Sequence, residues 1–158
     1  WRDLEITYIW GSTRSGTTRS ITARYGYRNV YRVTDYSHPF DGYMGQDVIL
    51  FEEFRSSISL GDMLKYLDGY PVVLPCRYAN KQACYTKVYI VSNISLRQQY
   101  TGIQREEPET WLAFLRRIKE TRMFAEGKIM VGEVRVDKDG FWKIVHIGAE
   151  SVLGQLIR

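Results

Sequence analysis

The stretch that decides the fold runs Glu5-Ile6-Thr7-Tyr8-Ile9-Trp10-Gly11-Ser12-Thr13-Arg14-Ser15-Gly16-Thr17-Thr18. Its first half is β-branched and aromatic and halts at Gly11, the mark of a strand. Gly11 to Thr18 is small and polar, a loop. Thr18 to Tyr25 reads as a short helix stopped at Gly26. Working outward, Asn29 to Val33 is a second strand, and Ser37 to Gly45, with Pro39, Gly42 and Gly45, is a loop. Asp47 to Phe51 is a continuous apolar run, as in a strand buried on both faces, and it runs into Glu52-Glu53. Leu60, Met63, Leu64 and Leu67 fall at helical spacing over Ser59 to Leu67, with Ser59 and Asp62 available as caps. Val72 to Leu74 and Ala83 to Val91 flank Ala79-Asn80-Lys81-Gln82 and predict a hairpin with an exposed tip, Pro75 marking an edge or bulge.

The strand Lys87 to Val91 stops at Ser92-Asn93, and Glu109 to Lys119 is a second amphipathic helix, opened by Pro108. Ile129 to Val136 and Phe141 to Ile147, joined by Asp137-Lys138-Asp139-Gly140, predict a C-terminal hairpin. No repeat is present. Strands alternating with helices over the first 120 residues predict an α/β fold around a central parallel sheet.

A chain of 158 residues and 18.5 kDa has room for one ordinary domain. With 44% apolar and 14% aromatic residues it is not a disordered chain, and no apolar run approaches the ~18 residues of a membrane span. Two cysteines, Cys76 and Cys84, and two histidines, His38 and His146, build neither a disulfide scaffold nor a tetrahedral zinc site. A reducing, cytoplasmic setting is the expectation. The net charge of +4 permits a nucleic-acid partner, and 15 of the 22 basic residues are arginine, whose fork suits phosphate. The chain begins Trp1-Arg2-Asp3, which reads as a piece of something longer.

Strand, glycine loop and helix together are the setting of a phosphate-binding loop. Backbone amides at the helix start wrap phosphates, a lysine neutralises them, and a hydroxyl binds Mg²⁺. Gly11, Gly16 and Thr18 stand where G-x-x-x-x-G-K-[ST] requires them, with Thr17 in the lysine position. The same pattern also suits an ordinary strand-to-helix turn. Glu52 and Glu53 leave a buried strand at the edge where α/β sheets bind ligands; Glu52 is the candidate metal ligand and Glu53 the candidate base for a lytic water. Asn93, at the end of another strand, is a candidate to orient that water. One of Arg116 and Arg117 is a candidate arginine finger toward a neighbouring subunit, the other bracing its helix. Arg77, Lys81 and Lys87, with Tyr78 and Tyr85 nearby, make the hairpin a candidate grip on nucleic acid.

The order loop, Glu-Glu strand, basic hairpin, Asn strand, Arg-Arg helix resembles the superfamily 3 helicase domain of replication-initiation proteins from rolling-circle plasmids and related mobile elements of Gram-positive bacteria. Val30-Tyr31-Arg32-Val33-Thr34-Asp35-Tyr36, His38-Pro39-Phe40-Asp41-Gly42-Tyr43 and Phe51-Glu52-Glu53-Phe54-Arg55-Ser56-Ser57 carry the resemblance. So do Tyr66-Leu67-Asp68-Gly69-Tyr70-Pro71, Leu74-Pro75-Cys76-Arg77-Tyr78-Ala79-Asn80-Lys81 and Ala113-Phe114-Leu115-Arg116-Arg117-Ile118. It covers about Leu4 to Lys119, so residues 1–122 are expected to form the ATPase unit and 123–158 a hairpin and tail of separate role.

The resemblance implies a P-loop (AAA+-like) three-layer fold. It implies ATP and Mg²⁺ held by Gly11, Ser12, Thr13, Arg14, Ser15, Gly16, Thr17, Thr18 and Glu52. The implied activity is that of a hexameric ring unwinding single-stranded DNA, or RNA as in related viral helicases. The nicking domain that precedes such units in the family is absent from this sequence. The family pattern expects Gly at 14 and Lys at 17, where this chain has Arg14 and Thr17. A non-catalytic DNA-binding or oligomer-forming domain on the same fold is the alternative.

Overall fold

The computed structural model describes residues 1–11, 16–125 and 127–151, the last two of these as backbone. The elements in chain order are β1 (Glu5–Gly11), α1 (Thr17–Tyr25), β2 (Val30–Val33), β3 (Val48–Phe51), α2 (Leu60–Tyr66), β4 (Val73–Leu74), β5 (Lys81–Gln82), β6 (Lys87–Ser92), α3 (Thr101–Glu106), α4 (Pro108–Arg117), β7 (Glu120–Ala125), β8 (Lys128–Val136) and β9 (Trp142–Ser151). Seven strands form one sheet in the order β2-β3-β6-β1-β7-β8-β9. Its first five strands are mutually parallel. β8 and β9 run antiparallel. The protein is therefore α/β with a mixed sheet. The expected parallel sheet accounts for five strands, and the C-terminal hairpin turns the rest.

The central strands are apolar on both faces, so their residues alternate between two cores. Tyr8, Ile49, Phe51, Val88 and Ile90 point to the larger core, packed under Met63 of α2 and Trp111, Phe114 and Leu115 of α4. Ile9, Val48, Leu50 and Tyr89 point the other way, against Ile21 of α1. Such two-sided burial is what a continuous apolar run requires.

Three expectations change. β7 lies in the central sheet beside β1, where the sequence reading ended a helix at Lys119 and placed no strand. The boundary expected at residue 122 falls inside β7, and β8 and β9 continue the same sheet. The basic hairpin is also shorter than expected. Val73-Leu74 pair only with Lys81-Gln82. Val88, Tyr89 and Ile90 bury more apolar surface between β1 and β3 than a protruding arm would, so Lys87 opens a central strand and does not stand at a hairpin tip.

Candidate functional site

The connections leaving β1 and its neighbours pass over opposite faces of the sheet. α1 follows β1 on one face, while α2 after β3 and α4 after β6 lie on the other. Chain departing both ways opens a crevice at the C-terminal ends of the parallel strands. A cavity of about 410 Å³ lies there. Of the residues expected to form a site, Gly11, Thr17, Thr18, Glu52, Glu53 and Asn93 line it. Gly16, with φ 72° and ψ 22°, forms the turn that starts α1. Ser12, Thr13, Arg14 and Ser15 lie outside the described residues.

Gly11 carries a φ of 137° and runs against β7 so closely that a Cβ there would meet the Phe124 carbonyl oxygen at 2.5 Å and its nitrogen at 2.8 Å. Only glycine fits this seam, which fixes where the loop departs. At the other wall Thr18 Oγ1 donates a 2.7 Å hydrogen bond to Glu52 Oε1, joining residues 34 positions apart. Arg32 of β2 donates to the same carboxylate, Nε to Oε2 at 2.9 Å and Nη2 to Oε1 at 3.1 Å. Arg32 is half exposed, whereas the Glu52 side chain keeps only 13% of its surface in water. The backbone carbonyl of Glu52 accepts from the Tyr36 hydroxyl at 2.7 Å. Burial, then the Glu52 and Glu53 carboxylates, push that phenol far above the usual tyrosine range.

Glu53 is exposed and held at φ 48°, a left-handed conformation uncommon for a residue with a Cβ. The turn that holds it is anchored by Gln99, which has no exposed surface. Gln99 Nε2 donates to the Phe54 carbonyl (2.9 Å), the Tyr8 hydroxyl (2.9 Å) and Ser92 Oγ (3.1 Å). Its Oε1 accepts from Ser56 N at 2.6 Å and Ser56 Oγ at 3.0 Å. One carboxamide thus ties β1, the exit of β3 and the exit of β6 together below the cavity. Asn93 stands at the rim, where its Oδ1 accepts from Arg55 Nη1 at 3.4 Å.

The remaining expected site residues lie elsewhere. Arg116 and Arg117 border a depression with Leu4, Asp68 and Lys119 at the opposite, N-terminal end of β1. Arg117 donates from Nη1 to the Ala113 carbonyl at 2.9 Å and lies 3.8 Å from Asp68. Arg77 pairs with Asp41 at 2.5 Å, Lys81 donates to the Asp41 carbonyl, and Lys87 pairs with Asp47 at 3.4 Å. The Arg77 guanidinium, through hydrogen bond and charge, holds the Asp41 carboxyl below its usual range. Of the hairpin's two cations, Arg77 is thus neutralised by Asp41, while Lys81 meets a backbone carbonyl.

Arg32, Arg55 and Gln99 were missed by the sequence reading. Arg32 had a signal, as the polar position of an otherwise apolar β2, and Arg55 sits two residues beyond the glutamate pair. Gln99 had none.

The hydroxyl and carboxylate oxygens at Thr18 and Glu52 suit a hard divalent cation. Among the described residues no three His, Cys, Asp or Glu side chains gather into a metal cage. Thr17, at 4% exposure, puts no charge into the cavity; among the described residues Arg55 is the basic one that lines it. No helix among the described residues is long and apolar enough to cross a membrane. No protein-family model matches the chain, and no curated protein sequence matches it.

Proposed function

We propose that this chain is the nucleotide-binding ATPase module of a helicase of the replication-initiation type, taking ATP with Mg²⁺ in the cavity lined by Gly11, Thr17, Thr18, Glu52 and Glu53. The observation that carries the reading is the 2.7 Å bond from Thr18 to Glu52. It brings the hydroxyl that ends a glycine loop onto the carboxylate that ends a buried strand, the pair needed to share one magnesium ion. Bound there, the ion would spread the charge developing on phosphate oxygens.

The chain's own residues supply the rest. The Gly16 turn and the first turn of α1 present amides to phosphate. Glu53 accepts a proton from the attacking water, and Asn93 orients that water. Arg55, which lines the cavity, is the cation assigned the role left open by Thr17. Arg116 and Arg117, at the far end of β1, can serve a phosphate only on a neighbouring subunit, as in a ring. Single-stranded DNA or RNA is the substrate the reading implies.

A second reading, a non-hydrolysing DNA-binding or oligomer-forming domain on this fold, is favoured by two observations. Thr17 is buried, and Arg32 already engages both oxygens of Glu52. Losing the lysine costs several kcal/mol of transition-state stabilisation. Binding of a fluorescent ATP analogue with Mg²⁺, followed by phosphate release with single-stranded DNA, separates the two. The first reading expects Mg²⁺-dependent binding that Thr18→Ala and Glu52→Gln each abolish, with turnover that rises in Thr17→Lys/Arg14→Gly. Binding without turnover in either form supports the second. Binding indifferent to Thr18 and Glu52 refutes the site.

A further inference from the structure

Arg32 of β2 stands directly behind the carboxylate that the proposed site gives to the metal. Strand pairing sets Arg32 beside Leu50, and Leu50 points to the face that α1 covers, so the guanidinium lies on the side of the sheet where α1 begins. Its fork takes both oxygens of Glu52, Nε on Oε2 at 2.9 Å and Nη2 on Oε1 at 3.1 Å. Thr18 Oγ1 reaches the same Oε1 from the other wall. Glu52 lines the cavity, whereas Arg32 lines an open groove outside it with Thr22 and Thr34. The ion pair is therefore the partition between the two.

This partition sets the charge that an incoming ligand meets. Among the described residues the cavity is lined by Glu52, Glu53 and one cation, Arg55, which bonds to the neutral Asn93. Arg32 adds a second positive charge at hydrogen-bond distance from Glu52. Two acids thus face two bases, and the formal sum is zero. In the empty site this suits Glu52, since a largely buried carboxylate is costly unless it is paired. A bare divalent cation gains nothing from a neutral site, and on Glu52 it would sit against a guanidinium. The same cation carried by a nucleoside triphosphate brings net negative charge, which Arg32 and Arg55 attract. We propose that Arg32 makes the site refuse a bare divalent cation and admit it only as the metal–nucleotide complex, whose phosphates replace the negative charge that the metal takes from Arg32. The inference rests on the reading of the cavity as a nucleotide site and gives that site an order of binding.

The test compares two probes at fixed ionic strength: Mn²⁺ alone, followed by electron paramagnetic resonance, and a fluorescent ATP analogue with Mg²⁺. Arg32→Gln removes the charge. It is expected to bind bare Mn²⁺ about tenfold more tightly than the parent and the Mg²⁺–analogue complex about fivefold more weakly. Damage to the fold weakens both, so shifts in opposite directions separate lost charge from lost structure. Arg32→Lys keeps the charge but replaces the fork by one contact. Its analogue binding is expected to stay within about twofold of the parent and its gain for Mn²⁺ to be smaller, about threefold. Adding Glu52→Gln to Arg32→Gln is expected to remove the gained Mn²⁺. The proposal is overturned if neither Arg32 variant binds bare Mn²⁺ more tightly than the parent. It is equally overturned if Arg32→Gln leaves analogue binding unchanged, or if the gained Mn²⁺ survives Glu52→Gln. Failure of the nucleotide reading looks different: analogue binding then ignores Thr18→Ala and Glu52→Gln, whatever Arg32 does to Mn²⁺.

Discussion

Replacing Gln99 by leucine probes how the candidate site is held. The two side chains are close in size, so the packing volume is kept and the change removes polar bonds alone. Five hydrogen bonds disappear, yet most partners retain another. The Tyr8 hydroxyl still donates to the Ile94 carbonyl at 2.8 Å. Ser92 Oγ still donates to the Phe54 carbonyl at 2.5 Å and accepts from Ile94 N at 3.1 Å. What is left without its acceptor is the Ser56 amide and hydroxyl. Each unsatisfied donor costs about 1–3 kcal/mol, and the partial exposure of Ser56 lets water recover some of that. A net loss of about 2–3 kcal/mol follows, or a fall in Tm of roughly 5–10 °C for a domain of this size. Ser56 is also held at φ 51°. Freed from Gln99, it relaxes and takes the Glu53–Arg55 turn with it, so nucleotide-analogue binding should weaken more than the melting temperature alone implies. Urea unfolding followed by tryptophan fluorescence gives the first number and analogue titration the second. A loss below about 0.5 kcal/mol would refute the argument that one buried carboxamide organises this edge.

Gly11→Ala should be among the most damaging single methyl additions in the chain, since the Cβ would collide with the Phe124 backbone at a φ of 137°. Clash and backbone strain together cost about 2–5 kcal/mol, and a variant melting within 1–2 °C of the parent would contradict the seam. Alkaline pH offers an independent check on the core. Burial pushes the Tyr8 phenol up to about 12, with hydrogen bonds from Gln99 and Ser92 opposing the shift, and Tyr36, Tyr85, Tyr89 and Tyr100 are raised as well. A raised folded value favours the neutral form. Its stabilisation is complete below pH 10, and it is lost as the pH climbs through about 12. Tyrosinate absorbance should therefore rise in two stages, exposed residues first and the buried set together with loss of near-ultraviolet dichroism. Smooth titration of all 12 tyrosines near pH 10, with the fold intact, would show that the buried phenols are not where the structure puts them.

The N-terminal strand β1 and the helix α1, the fully buried β3, the two amphipathic helices α2 and α4 and the C-terminal hairpin were all legible in the sequence. Each is announced locally, by apolar spacing and by glycine or proline at its ends. β7 was not, because Glu120 to Ala125 mixes charge with apolar residues and becomes a strand only by pairing with β1 and β8. The hairpin was misjudged for a related reason. Val88, Tyr89 and Ile90 suit either a protruding arm or a central strand, and only the space between β1 and β3 decides between them.

The candidate site divides along the same line. Gly11, Gly16, Thr18, Glu52 and Asn93 stood out as residue types at element ends, where chain geometry confines chemistry to sheet edges. That Thr18 meets Glu52, that Arg32 takes both oxygens of that carboxylate, and that Gln99 supports the turn from below depends on pairs 34, 20 and 43 positions apart. Local pattern determined most elements of this protein, β7 and the extent of the hairpin excepted, and the kinds of side chain at their ends. Only the folded chain decided which charges meet, because charge pairing depends on distances that the packing of the sheet sets and no spacing along the sequence records.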